Sequence, residues 1–165
     1  MKPFLLVLLL LPLSLFSQNK VAHVNADEVF SKMPELKDVE TQMNNKAEAA
    51  KKNIAAMEAE YDAMLKRFGE TPTDSLTEAV LNDRQKQIQD FQERYRTYVQ
   101  NSQQEIEKEQ QTLLAPLQQK LMKAIKDVGD ENSYTYIISA NALLHVGTGA
   151  IDANPQVKAK LGITN

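Results

Sequence analysis

His23 and His145 are the residues best suited to proton transfer or metal ligation, since imidazole titrates near neutrality and binds divalent metals. Both fall in strand-like segments and could be neighbours in one sheet. A pair with no acidic third ligand nearby is a weak metal set, so a structural or exposed role is the expected one. Glu105, Glu107 and Glu109 supply closely spaced carboxylates, but at helical spacing these form a solvated face of ion pairs rather than a catalytic dyad. Gly147-Thr148-Gly149 lacks the Lys-Ser or Lys-Thr that follows a phosphate-cradling loop and reads as a turn. Tyr95 and Tyr98 with Arg94 and Arg96 have the makings of a base-stacking patch, yet the net charge of −3 offers nucleic acid no attraction. With no cysteine there is no thiol nucleophile, thiolate metal site or disulfide. No catalytic residue, metal or cofactor is expected, and the chain is expected not to be an enzyme.

The elements that carry these residues begin with an export signal over 1–17: Lys2, the apolar run Phe4 to Phe16, then Ser17 and Gln18. That run is shorter than the roughly 20 residues a membrane span requires and contains Pro12, so a mature chain without a transmembrane segment is expected. The body strand and turn follow over 18–33. Val21, His23 and Asn25 alternate with Ala22 and Val24, giving a strand at 20–25 and a turn at Asn25 to Asp27. Met33-Pro34 opens a helix.

Residues 34–128 read as a helical hairpin. Leu36, Val39, Met43, Ala47, Ala50, Ile54, Met57, Tyr61, Met64 or Leu65, and Phe68 form a coiled-coil seam, with a stutter at Val39, Met43 and Ala47. Turn formers break it at the tip, about 69–75. A second seam runs from Leu81 through Ile88, Phe91, Tyr95, Tyr98, Ser102, Ile106, Gln110, Leu113, Leu117, Leu121 and Ile125 to Val128, ending at Gly129. The short connection folds the helices antiparallel. Residues whose numbers sum to about 145 are expected opposite, so that Ala50 meets Tyr95 and Ala47 meets Tyr98. Met43 and Met57 are expected in the seam, whereas Met64, Phe68, Leu76 and Val80 near the tip are candidates for touching a partner chain. Pro116 should kink the second helix.

At about 1.5 Å per residue the second helix outruns the first by roughly 30 Å. Its surplus carries Leu113, Leu117, Leu121 and Ile125, which must be covered by strands, by other copies, or both. The strands come from 129–165: Tyr134 to Ser139, Ala142 to Val146 and a short run at Ala150-Ile151, before a terminal helix with Asn154 as cap, Pro155, Val157, Leu161 and Gly162. So small a sheet is unstable alone. Oligomerisation through this body is expected, with Val21, Val24, Leu113, Leu117, Leu121, Ile125 and Ile137 as interface candidates. The fold class is mainly α, a long antiparallel coiled-coil arm on a small β-body.

The opening Lys20-Val-Ala-His-Val-Asn through Pro34, and the closing Tyr134-Thr-Tyr-Ile-Ile-Ser with Ala150-Ile-Asp152, resemble the periplasmic chaperone family Skp, also called the OmpH-like family. The resemblance covers the mature chain, is most specific at its two ends, and implies a soluble periplasmic homotrimer. In such a trimer strands join in one β-body and three hairpins surround a cavity where unfolded outer-membrane proteins are held without ATP. Typical members are basic whereas this chain is mildly acidic, so no lipopolysaccharide-binding residues are carried over. A structural adaptor of the cell envelope, binding one folded partner, is the alternative.

Overall fold

The computed structural model describes residues 19–163; the expected signal peptide lies outside the described residues. Strand β1 (Val21–Val24) runs into helix α1 (Ala26–Ser31). A helix stands where a turn was expected because the Asn25 side chain caps it, accepting from the Glu28 N–H at 3.1 Å. Pro34 and Glu35 precede helix α2 (Leu36–Gly69). A 3-10 turn at Thr73–Ser75 leads to helix α3 (Glu78–Glu131), capped by the Thr77 hydroxyl rather than by an earlier tip residue. Strand β2 (Tyr136–Ser139), a second 3-10 turn (Ala140–Ala142), strand β3 (Ile151–Asp152) and helix α4 (Asn154–Lys160) complete the chain.

The long helices are antiparallel, and the expected stutter is displaced along the seam, from Val39, Met43 and Ala47 to Lys46, Ala50 and Ile54. Lys46, not Ala47, is the half-buried residue after Met43, and it meets Glu109, which replaces Gln110 in the facing seam. The register also differs from the expected one. Tyr61 stacks on Phe91, Asn53 donates to the Tyr98 hydroxyl at 2.8 Å, and Arg84 donates to the Phe68 carbonyl at 2.7 Å, so facing residue numbers sum to about 152. Ala50 therefore lies by Ser102 and Ala47 is exposed, instead of each meeting a tyrosine. A slip of about seven residues is one heptad, which leaves every apolar position on the seam.

Because of this register α2 accompanies α3 as far as the Glu35–Lys120 ion pair, well beyond Gln110. The rest of the α3 stripe is covered by its own chain. Leu117, Leu121, Ala124 and Val128 are buried in one cluster with Ala22 and Val24 of β1, Val29 of α1, Met33, Ala153, and Val157 and Leu161 of α4. The need for neighbouring subunits to cover this stripe is thus removed.

The sheet is parallel throughout, in the order β2-β1-β3, with Val21 opposite Tyr136, His23 opposite Ile138 and Ala22 opposite Ile151. The expected strand Ala142 to Val146 is irregular, so His145 is exposed on a loop and is no sheet neighbour of His23. Gly129 does not end α3. It lies inside the helix, where a Cβ would stand 3.4 Å from Ile137 Cδ1, and the chain turns instead at Ser133, whose φ is 54°. Helix α3 continues unbroken through Pro116. Asn154 does not cap α4 with its side chain; its Oδ1 accepts from the Asn25 N–H at 2.9 Å, tying the terminal helix to the start of α1.

Candidate functional site

The ion pairs of the described residues run chiefly between elements. Glu28 of α1 binds Lys158 of α4 and Lys32, each at 2.8 Å, and these two ammonium groups, Lys158 above all, hold its carboxyl down to about 2. Glu35 is lowered by the hydrogen bond from Lys120, and Asp127 by that from Lys123. These are contacts of assembly, and among the described residues no three His, Cys, Asp or Glu side chains are grouped to hold a metal ion.

The surface that stands out lies on the hairpin. Helix α2 has 34 residues and none of them is buried. An amphipathic helix normally obtains most of its stability by burying one face, so a rod this long with a half-wet seam leaves apolar surface available. The packing shows where. Ala50 and Ser102 are small residues facing each other, and a cavity of about 220 Å³ opens beside them. Toward the tip the seam is aromatic: Tyr61 and Phe91 stack at 5.1 Å, Phe91 and Tyr95 at 6.4 Å. On one side of this stack is an open cleft of about 790 Å³, and on the other a cleft of about 460 Å³. Tyr95 donates to Glu58 at 3.0 Å, and the proximity of that carboxylate raises the phenol's pKa.

The four tip candidates differ in exposure. Met64 is half-buried and lines the smaller cleft, while Phe68 is half-buried beneath the guanidinium groups of Arg84 and Arg67, 5.0 and 5.5 Å from its centroid. Leu76 is half-buried and Val80 is exposed. Of the alternatives Met64 or Leu65 the seam takes Met64, so Leu65 is exposed, as are Leu81, read from the sequence as a seam position, and Val99 beside the larger cleft. The placement of Leu65 and Val99 could have been read from the spacing, since each stands one residue past a filled seam position, Met64 and Tyr98; Leu81 keeps seam spacing but, in this register, lies beyond the end of α2 at Gly69.

The body candidates divide in two. Val24, Leu117 and Leu121 are buried within the single chain, Ile125 and Ile137 pack against the same core, and Leu113 is half-buried. Val24, Leu117 and Leu121 are therefore not free surface for another subunit, whereas Leu113, Ile125 and Ile137 each keep part of their surface exposed. Val21 is exposed, and the pairing puts it on one sheet face with Tyr136, His23 and Ile138. Tyr136 is 62% exposed and Leu144, on the following loop, is wholly so. Sequence reading passed over both, although alternation along β2 places Tyr136 opposite in facing to Ile137.

Two long antiparallel helices with an apolar and aromatic seam, set on a small parallel sheet, define a coiled-coil hairpin on a β-body. The chain belongs to the OmpH-like outer membrane protein family, whose match spans residues 20–161. It is similar to the "Chaperone protein Skp" of Yersinia enterocolitica, at 26% identity over 129 residues and 76% of each chain. Its fold is that of a putative OmpH-like outer membrane chaperone from Caulobacter crescentus CB15, with a TM-score of 0.74 at 16% identity, over 86% of this chain and 82% of that one. No helix of the described residues is long and apolar enough to cross a membrane.

Proposed function

We propose that this protein is an ATP-independent holdase of the periplasm that binds unfolded outer-membrane proteins between its helical arms. One observation carries the reading: a 34-residue arm helix without a single buried residue faces a partner helix across a seam of aromatic and apolar side chains left open to solvent. Such a surface offers many weak contacts to an unfolded chain. Confinement among several arms raises effective concentration without a tight site. Membership of the OmpH-like family supports the client class, and the export signal expected over 1–17 supports the compartment.

The arms work together in a homo-oligomer, a trimer by the resemblance. Support comes from the sheet, since all-parallel sheets are normally covered on both faces. Here Val21, Tyr136 and Ile138 leave one face apolar and exposed, with Leu144 and Val146 exposed on the loop that follows. A denatured outer-membrane β-barrel protein diluted into buffer with a few equivalents of this protein should scatter less light than without it. Unchanged turbidity removes the proposal. A pull-down separates it from the adaptor alternative, which would recover one stoichiometric folded partner instead of many outer-membrane proteins.

A further inference from the structure

The two sides of the Tyr61–Phe91–Tyr95 stack are not equivalent. On one side, in the smaller cleft, Arg94 lies over the Phe91 ring at 5.1 Å and reaches Glu60 at 2.5 Å, so these two lining charges are already paired between the helices. Two residues further along each helix stand Asp62 and Arg96, and among the described residues neither has an ion-pair partner. They flank the open cleft of about 790 Å³, whose apolar floor is made by Tyr61, Phe91, Tyr95 and Val99. Glu58 stands one turn from Asp62 on α2, so the lips carry two carboxylates against one guanidinium.

From this arrangement we infer that the cleft is a client subsite selective for extended segments in which an aromatic side chain is next to Lys or Arg. The inference rests on the holdase reading and names the segments that the arm prefers. Rings of the floor receive the aromatic side chain by offset stacking, which adds to simple area burial. The adjoining cation lies toward Glu58 and Asp62 with its stem along Tyr61 and Tyr95, where ring faces and carboxylates attract it together. Arg96 opposes a second cation on the far lip and receives an acidic residue or a peptide carbonyl there. A neutral or acidic aromatic segment gains the floor alone.

The chain contains no tryptophan, so the emission of a tryptophan-bearing probe reports on the probe alone. Two blocked, unstructured peptides serve, one with Trp next to a single lysine and one with Trp next to a single glutamate. At low salt the lysine peptide should blue-shift on addition of the full mature protein and bind at least about threefold more tightly than the glutamate peptide. Asp62→Lys should abolish that preference, and Val99→Glu should weaken both peptides about tenfold. Both positions are exposed, so the variants should keep wild-type helicity, which circular dichroism checks. Equal binding of the two peptides, or wild-type binding by a folded Val99→Glu variant, overturns the inference. So does loss of peptide binding as the protein self-associates, which would mean that the cleft is closed by a second copy. Turbidity suppression measured on the same samples separates the two levels. A wild type that suppresses aggregation while ignoring both peptides loses this subsite and keeps the holdase function, whereas failure to suppress removes the function itself.

Discussion

The ring of Tyr61 lies on that of Phe91 with centroids 5.1 Å apart and planes inclined by 27°, and this stack fixes which turn of α2 faces which turn of α3. Phe91 is buried, at 7% exposure, among seam neighbours that are half-wet. Phe91→Ala should lower the stability of the hairpin by about 3 kcal/mol, the low end for a buried phenylalanine because solvent can reach the site. Thermal unfolding followed by circular dichroism checks this, with a loss confined to an early helical transition of the arm.

Lys46 occupies a seam position with its ammonium 3.1 Å from Glu109 and 4.0 Å from Glu105. A polar group at such a position specifies register at a cost in stability. Lys46→Met should therefore hold or raise the melting temperature of the arm while allowing heptad-shifted pairing, seen as doubled amide resonances around Asn53 and Tyr98. A lower melting temperature with single resonances would contradict this role.

That pair also shows what the sequence leaves open. Periodicity places Ile54, Met57, Tyr61, Ile88, Phe91 and Tyr98 on the seam, where they are. It cannot choose between two registers seven residues apart, because a heptad shift maps the pattern onto itself. The signals that do choose are the polar seam members, Lys46 and Glu109, which apolar spacing overlooks. The body was less legible for another reason. β1 pairs with residues more than a hundred positions away, so its partners leave no local trace, and Ala142 to Val146, although mostly apolar, pairs with no strand among the described residues. Of the candidate site, the aromatic residues were visible as seam members, but the cleft beside them follows from the register and could not precede it.

The α3 stripe gives a sharp contrast between neighbours. Leu121 is 6% exposed and packed against β1 and α4, whereas Met122 is 62% exposed. Leu121→Ala should destabilise the body by about 3 kcal/mol and Met122→Ala by under about 0.5 kcal/mol, measured by urea unfolding. Equal effects would mean that the stripe is not covered as described.

Glu28 predicts an acid response. Its carboxyl is held at about 2, chiefly by Lys158 and then Lys32, against an ordinary 4.5. A folded-state value below the unfolded one means that the added stability is present in full above about pH 4.5 and lost as pH falls toward 2. Helix α4 should loosen over that window, with Glu28→Gln showing a flatter dependence. Hydrogen exchange at Val157 and Leu161 is the readout, and an unchanged slope in the variant would contradict the assignment.

The outward sheet face makes oligomerisation testable by residue. Tyr136→Glu and Leu144→Glu place charge on exposed apolar positions. Both should reduce the mass measured by sedimentation toward a single chain while leaving its helicity intact; unchanged mass in both would locate the interface elsewhere.

The most direct measurement is the mass and secondary structure of the complex formed when a denatured outer-membrane β-barrel protein is diluted into the full mature chain. Light scattering coupled to size exclusion should give a soluble particle of defined stoichiometry, and isotope-labelled client within it should show dispersion typical of an unfolded chain. A client that precipitates, or one that enters the particle only after folding, would contradict the account.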